Sequence, residues 1–119
     1  MAGVTGLGGA FVRADDPAAL REWYQQHLGL SGVGGAFTFP VATQRADAVL
    51  SFSSRADEYF PPAQPVMLNL QVDDLDAVLD RLIDEGVTVD PNRETYDFGR
   101  FGWFTDLEGN RVELWQPTD

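Results

Sequence analysis

The sequence predicts an α+β fold made of two copies of a β-α-β-β-β module in one chain, and three observations predict it. Asp16-Pro17 and Asp74 each open a helical stretch, and Gly29 and Gly86 close those stretches at nearly the same interval. A short strand-like stretch precedes each helix. The chain then ends on two strand-like stretches around a tight turn. One domain over residues 1–119 is expected, with modules at about 5–53 and 66–117 joined by a linker at 54–65.

In order, Leu7 to Arg13 reads as a strand. Asp16 caps the first helix, with Pro17 at its first position, where a missing N–H costs nothing. Leu20, Trp23, Tyr24, His27 and Leu28 recur at helical spacing on one face, opposite Arg21, Glu22, Gln25 and Gln26. His27, on that apolar face, reads as a packed, hydrogen-bonded histidine rather than a ligand. Ala36 to Val41 and Ala48 to Ser53 are short strand candidates. Ser54 to Pro65, with three prolines, is a connector whose Tyr59-Phe60 pair packs down on something. Val66 to Val72 alternates with period two. Asp74 then caps a helix with Leu75, Val78, Leu79, Leu82 and Ile83 as its apolar stripe, and Val87 to Val89 is extended.

The end of the chain carries most of the information. Arg100 to Thr105 and Arg111 to Gln116 flank a turn at Asp106-Leu107-Glu108-Gly109-Asn110. A five-residue turn sets Thr105 across from Arg111, Trp103 from Glu113 and Phe101 from Trp115, all six on one side of the sheet. Gly102, Phe104, Val112 and Leu114 take the other side and suit packing against a helix. The first side is then a cavity wall, with three large aromatics around one carboxylate.

Composition excludes several classes. A 119-residue chain with 44% hydrophobic and 23% charged residues is long enough for a real core. Its net charge of −11 repels phosphate backbones and anionic lipid, so neither nucleic acid nor membrane is expected as a partner. No apolar run has the length of a membrane span, and the first ten residues lack the pattern of a secretory signal. There are no cysteines, which rules out disulfides and thiolate sites and fits a cytoplasmic location.

Three stretches together resemble the vicinal oxygen chelate superfamily, which includes glyoxalase I, extradiol dioxygenases and bleomycin-resistance proteins. They are A-D-D-P-A-A-L-R-E-W-Y-Q-Q-H-L-G-L, V-D-D-L-D-A-V-L-D-R-L-I-D-E-G-V and F-T-D-L-E-G-N-R-V-E-L-W-Q-P, with Leu107 in place of the family's proline. The resemblance implies a curved half-barrel sheet around a cavity with helices outside, in a homodimer. In metal-dependent members it also implies a divalent ion held by His or Gln, Glu, His and Glu. Carried over residue by residue, the first-strand ligands fall on Gly9 and Met67 and the last-strand ligand of the second module on Glu113. Ala48 to Ser53 offers no His, Glu or Gln. One position of four is competent, and a thioether suits copper(I) rather than zinc, magnesium, manganese or iron(II). No metal or other cofactor is therefore expected.

Strand alternation turns Phe11, Arg13, Met67, Asn69 and Gln71 toward the cavity alongside Phe101, Trp103, Glu113 and Trp115, an aromatic pocket with a few polar groups. Glu113 between tryptophans can anchor a ligand cation, act as a general base without metal, or form a structural salt bridge with Arg111. The leading expectation is a metal-free small-molecule-binding protein of the bleomycin-resistance type, sequestering a cationic or aromatic compound. The alternative is a glyoxalase-like lyase or isomerase acting through Glu113, with or without a divalent metal. A third reading keeps the fold as a scaffold without ligand binding.

Overall fold

Leu75, Leu79 and Leu82 of one short helix lie fully buried against Phe104, Val112 and Leu114 of two long strands, and this contact is the core. The computed structural model describes residues 9–32 and 36–118. Its elements are α1 (Pro17–Leu28), a one-turn 3-10 helix (Val41–Thr43), β1 (Asn69–Gln71), α2 (Leu75–Asp84), β2 (Glu94–Tyr96), β3 (Gly99–Thr105) and β4 (Arg111–Pro117). The strands form one curved, unclosed sheet in the order β1-β4-β3-β2, with β1 parallel to β4 and the other pairs antiparallel.

Both helices start as their sequences dictate. Asp16 and Asp74 accept hydrogen bonds from the amides of Ala19 and Ala77, each at 3.1 Å. Gly29 takes the left-handed conformation (φ 67°) that ends α1. The hairpin of β3 and β4 has the register that the five-residue turn implies, with Thr105 opposite Arg111, Trp103 opposite Glu113 and Phe101 opposite Trp115. Gly102 faces α2 so closely that a Cβ there would come within 2.5 Å of Leu79 Cδ1.

The turn also holds α1. Glu108 accepts the amides of Asp15 and Asp16 at 2.7 and 2.9 Å, while buried Asp106 accepts the Tyr24 hydroxyl at 2.8 Å. Asp106 further accepts the amides of Glu108 and Asn110, which shapes the turn itself. Arg93 and Arg100 both reach Asp76 on α2, tying the β2–β3 hairpin to the helix layer. His27 lies 3.0 Å from Glu85 and against the Trp23 ring, so it is packed and hydrogen-bonded.

Three differences from expectation are physical. Val87 to Val89 continues outward as an interrupted edge strand: Thr88, Val89 and Asp90 pair with β3, Pro91 breaks the run because it lacks an N–H, and β2 resumes the pairing. Ala36 to Val41 and Ala48 to Ser53 form no ladder, and Val41 instead starts the 3-10 turn behind Pro40. Leu7 and Gly8 of the first expected strand lie outside the described residues. Residues 9–13 carry no ladder either.

Candidate functional site

Trp103 and Glu113 face each other across the hairpin, and the Trp103 indole N–H donates to the carboxylate at 2.9 Å. On the other side of β4, Asn69 is the register partner of Glu113 and donates its amide at 2.6 Å. The hydroxyl of Tyr59, from the linker, is the third donor. Glu113 is 7% exposed, so its charge is removed from water and compensated by three neutral donors. Tyr59 meets the Trp103 ring edge-on at 5.9 Å. Its phenol pKa is pushed up from the ordinary value, first by burial and then by the hydrogen bond to Glu113, so Tyr59 stays a donor.

Two docked segments cover this part of the face. Gln64 donates to the Arg111 carbonyl and accepts from the Arg111 amide, both at 2.8 Å, so a side chain stands in for a neighbouring strand. Gln71 accepts the amides of Arg45 and Ala46 and donates to the Ala46 carbonyl at 2.9 Å. Arg111 pairs with Asp90 at 3.1 Å and lies over the Trp103 ring. The salt bridge from Arg111 to Glu113 weighed from the sequence is therefore not formed.

Further along the same face the surface is open. Phe101 and Trp115 stack in parallel, and Tyr96 and Phe98 form a second parallel pair beside them. The Trp115 indole donates to the Phe98 carbonyl at 3.2 Å and lies over Gly99, where a Cβ would come within 2.4 Å of it. Glu94 faces the same side, opposite Phe101.

The structure thus gathers Asn69, Trp103 and Glu113 in one bonded cluster, stacks Phe101 with Trp115 and uses Gln71 to hold a loop. Met67 is half-buried, two residues upstream of the position that faces Glu113. Phe11 and Arg13 are a correction. Both are exposed, because residues 9–13 join no sheet and no alternation turns them inward. Tyr59, Glu94, Tyr96 and Phe98 were not among the expected site residues. The Tyr59-Phe60 pair in a proline-rich connector was the available signal for the first of them.

A divalent cation does not fit these residues. Both Glu113 oxygens already accept N–H or O–H donors, Gly9 has no side chain, and Asn69 stands beside Glu113 with its N–H pointed at the carboxylate. Among the described residues no group of three His, Cys, Asp or Glu side chains is arranged to hold a metal ion. An open polar cleft of about 420 Å³ lies between the end of α1, the 43–45 loop and α2, and of the expected site residues only Gln71 lines it.

A curved sheet with helices on one face and a carboxylate on the other is the geometry expected of the family resembled, and a direct comparison agrees. The family model described as Glyoxalase/Bleomycin resistance protein/Dioxygenase superfamily matches residues 6–114. The chain belongs to this superfamily. Among solved structures, this glyoxalase-superfamily chain is similar to TnmS3, an antibiotic binding protein from Streptomyces sp. CB03234. The two are 28% identical over 90% of this chain and 91% of the other, with a TM-score of 0.58. A superfamily member from Sphaerobacter thermophilus DSM 20745 shares the fold at 22% identity and TM-score 0.55, over 92% of this chain and 99% of the other. No match was found among curated proteins. No helix among the described residues is long and apolar enough to cross a membrane.

Proposed function

We propose that this chain binds a small aromatic molecule on the sheet face beside Glu113, without a metal and without chemistry on the ligand. The observation that carries the reading is the state of Glu113, a buried carboxylate already engaged by Asn69, Trp103 and Tyr59. A general base must reach the proton it abstracts, and here the carboxylate is covered by Tyr59 and occupied on both oxygens. It serves instead as the fixed centre that orients Trp103 and the linker. Ring faces remain to contact a ligand, and aromatic walls with few polar groups are how small-molecule sites are commonly built. Similarity to an antibiotic binding protein over most of both chains supports the same reading.

The test is tryptophan fluorescence and calorimetry against a panel of flat aromatic, aliphatic and anionic compounds, with metal analysis of the purified protein. Saturable binding of aromatic compounds at less than one equivalent of any divalent ion supports the proposal. Stoichiometric zinc, nickel or manganese, or turnover that Glu113→Gln abolishes, overturns it in favour of a lyase or isomerase.

We also propose a homodimer. Phe11, Val12, Phe39, Val41, Val49, Leu50 and Phe52 of the first half are exposed, and so much apolar surface on a monomer calls for a cover. Light scattering at twice the chain mass supports this; a monomer at micromolar concentration contradicts it.

A further inference from the structure

We infer that the cleft at the C-terminal end of β1 is a second binding site, for an aliphatic carboxylate, distinct from the aromatic face beside Glu113. Its volume of about 420 Å³ lies within the range of small-molecule sites, roughly 300–1,000 Å³. Leu28 at the end of α1, Val72 after β1 and Val78 on α2 form its apolar floor. All three are partly buried and packed against the core. No aromatic ring lines the cleft, so the floor suits a branched or linear hydrocarbon rather than a flat ring system. Arg45, Asp73 and Arg81 stand around it, and Gln71 is shared with the sheet face.

The walls are tied in place before a ligand arrives. Gln71 accepts the amides of Arg45 and Ala46 at 3.0 and 3.2 Å and donates to the Ala46 carbonyl at 2.9 Å, which fixes the loop wall on β1. Arg81 Nη2 donates to the His27 carbonyl at 3.1 Å, and the His27 ring lies 3.0 Å from Glu85. Together these contacts hold the end of α1 against α2. Walls that are already arranged lose little freedom on binding.

Charge selects the head group. Arg93, Arg100 and Arg111 are each bonded to a carboxylate of the chain. Arg81 differs: its guanidinium donates to a carbonyl and meets no carboxylate among the described residues. The rest of its planar fork matches a carboxylate. Arg45 brings a second guanidinium from the facing wall, where the bond from its amide to Gln71 places it. Two of the chain's eight basic residues thus share one cleft with a single acid, Asp73. The net charge of −11 opposes an anion at long range, but salt screens that field within about 8 Å, and the arginines act at contact. Both arginines are exposed, so a bare anion gains little from them. The ligand needs the apolar body as well as the charge.

The test is titration of the full chain with octanoate, octanol and acetate, followed by amide chemical shifts in proton–nitrogen correlation spectra. Octanoate is expected to give saturable shifts centred on Leu28, Val72 and Arg81. It should bind at least about tenfold more tightly than octanol, which has the body without the charge. Acetate, which has the charge without the body, should give no saturable shift. Arg81→Gln is expected to weaken octanoate about tenfold, and Arg81→Lys, which keeps the charge but not the fork, to weaken it less. The comparison of octanoate with octanol uses the unaltered chain, so it decides the matter even if a variant fails to fold. Octanol bound as tightly as octanoate overturns the assignment, as do octanoate shifts centred on Trp115 or unchanged affinity in a folded Arg81→Gln. The proposal for the aromatic face is read from other compounds at other residues and stands or falls separately.

Discussion

The indole N–H of Trp103 donates to the carboxylate of Glu113 across the β3–β4 hairpin at 2.9 Å, and both residues are buried. This bond makes the side chain most suggestive of catalysis into part of the framework. Glu113→Gln keeps the shape but turns an acceptor into an N–H₂ group that meets donors already in place. Leaving a buried donor unmatched costs about 1–3 kcal/mol. We expect Glu113→Gln to lose that much stability in urea denaturation at pH 7. A variant as stable as wild type would show that Glu113 is not held as described.

Gly99 is the second sensitive position, for two independent reasons. Its φ of 146° is one that side chains rarely adopt, and a Cβ would meet Trp115 Nε1 at 2.4 Å and the Gln116 carbonyl at 2.5 Å. Gly99→Ala should cost about 1–3 kcal/mol and displace the Trp115 indole into water. The readout is a red shift of tryptophan emission together with a lower melting temperature. An unchanged emission maximum would contradict the placement of Trp115.

How much of this was legible in the sequence differs between the halves. The second half announced itself. Alternation on either side of a five-residue turn leaves only one register that keeps Phe104, Val112 and Leu114 on the helix side, and the leucines of α2 repeat at helical spacing to meet them. β2 was not legible, because Glu94-Thr95-Tyr96 is too short to show a period and forms through pairing with β3. The expected strands of the first half failed for a related reason: alternation describes a face only once a partner strand exists, so Phe11 and Arg13 could not be placed from spacing. Nor could spacing show that Tyr59 would reach a carboxylate 54 residues away. The Glu of the terminal turn was read as turn chemistry; its further use, holding the amides ahead of α1, is a long-range bond that leaves no mark on the local pattern.

Alkaline pH should weaken the fold through two tyrosines. Tyr24 and Tyr59 are both pushed up from the ordinary value of 10.0, each mainly by burial and further by its carboxylate partner, Asp106 or Glu113. A raised folded-state pKa means stability that is complete below pH 10 and is lost as pH rises beyond it. Denaturation at stepped pH should show that decline. It should be shallower in the double variant Tyr24→Phe and Tyr59→Phe. Tyrosinate absorbance from these two side chains near pH 10 with the fold intact would contradict the hydrogen bonds that hold both phenols to their carboxylates.

Acid should act on the tie between α2 and the β2–β3 hairpin. Hydrogen bonds from Arg100 and Arg93 lower the Asp76 pKa from 3.8 to about 2. A lowered folded-state pKa gives stability that is present above pH 3.8 and lost as pH falls toward 2. Asp76 is half exposed, so solvent screens the pair and we expect about 1 kcal/mol or less. Asp76→Asn should be less stable than wild type by that amount at pH 7, and the difference should vanish near pH 2. A difference that persists at low pH would point to packing rather than charge.

The most direct measurement is a proton–nitrogen correlation spectrum that follows the three tryptophan indoles during titration, first with a flat aromatic cation and then with zinc. We expect the cation to move the Trp115 signal, while zinc at one equivalent leaves the Trp103 signal bonded to Glu113 where it was. A Trp103 signal that shifts stoichiometrically with zinc, with Trp115 indifferent to every aromatic compound tried, would contradict the central claim.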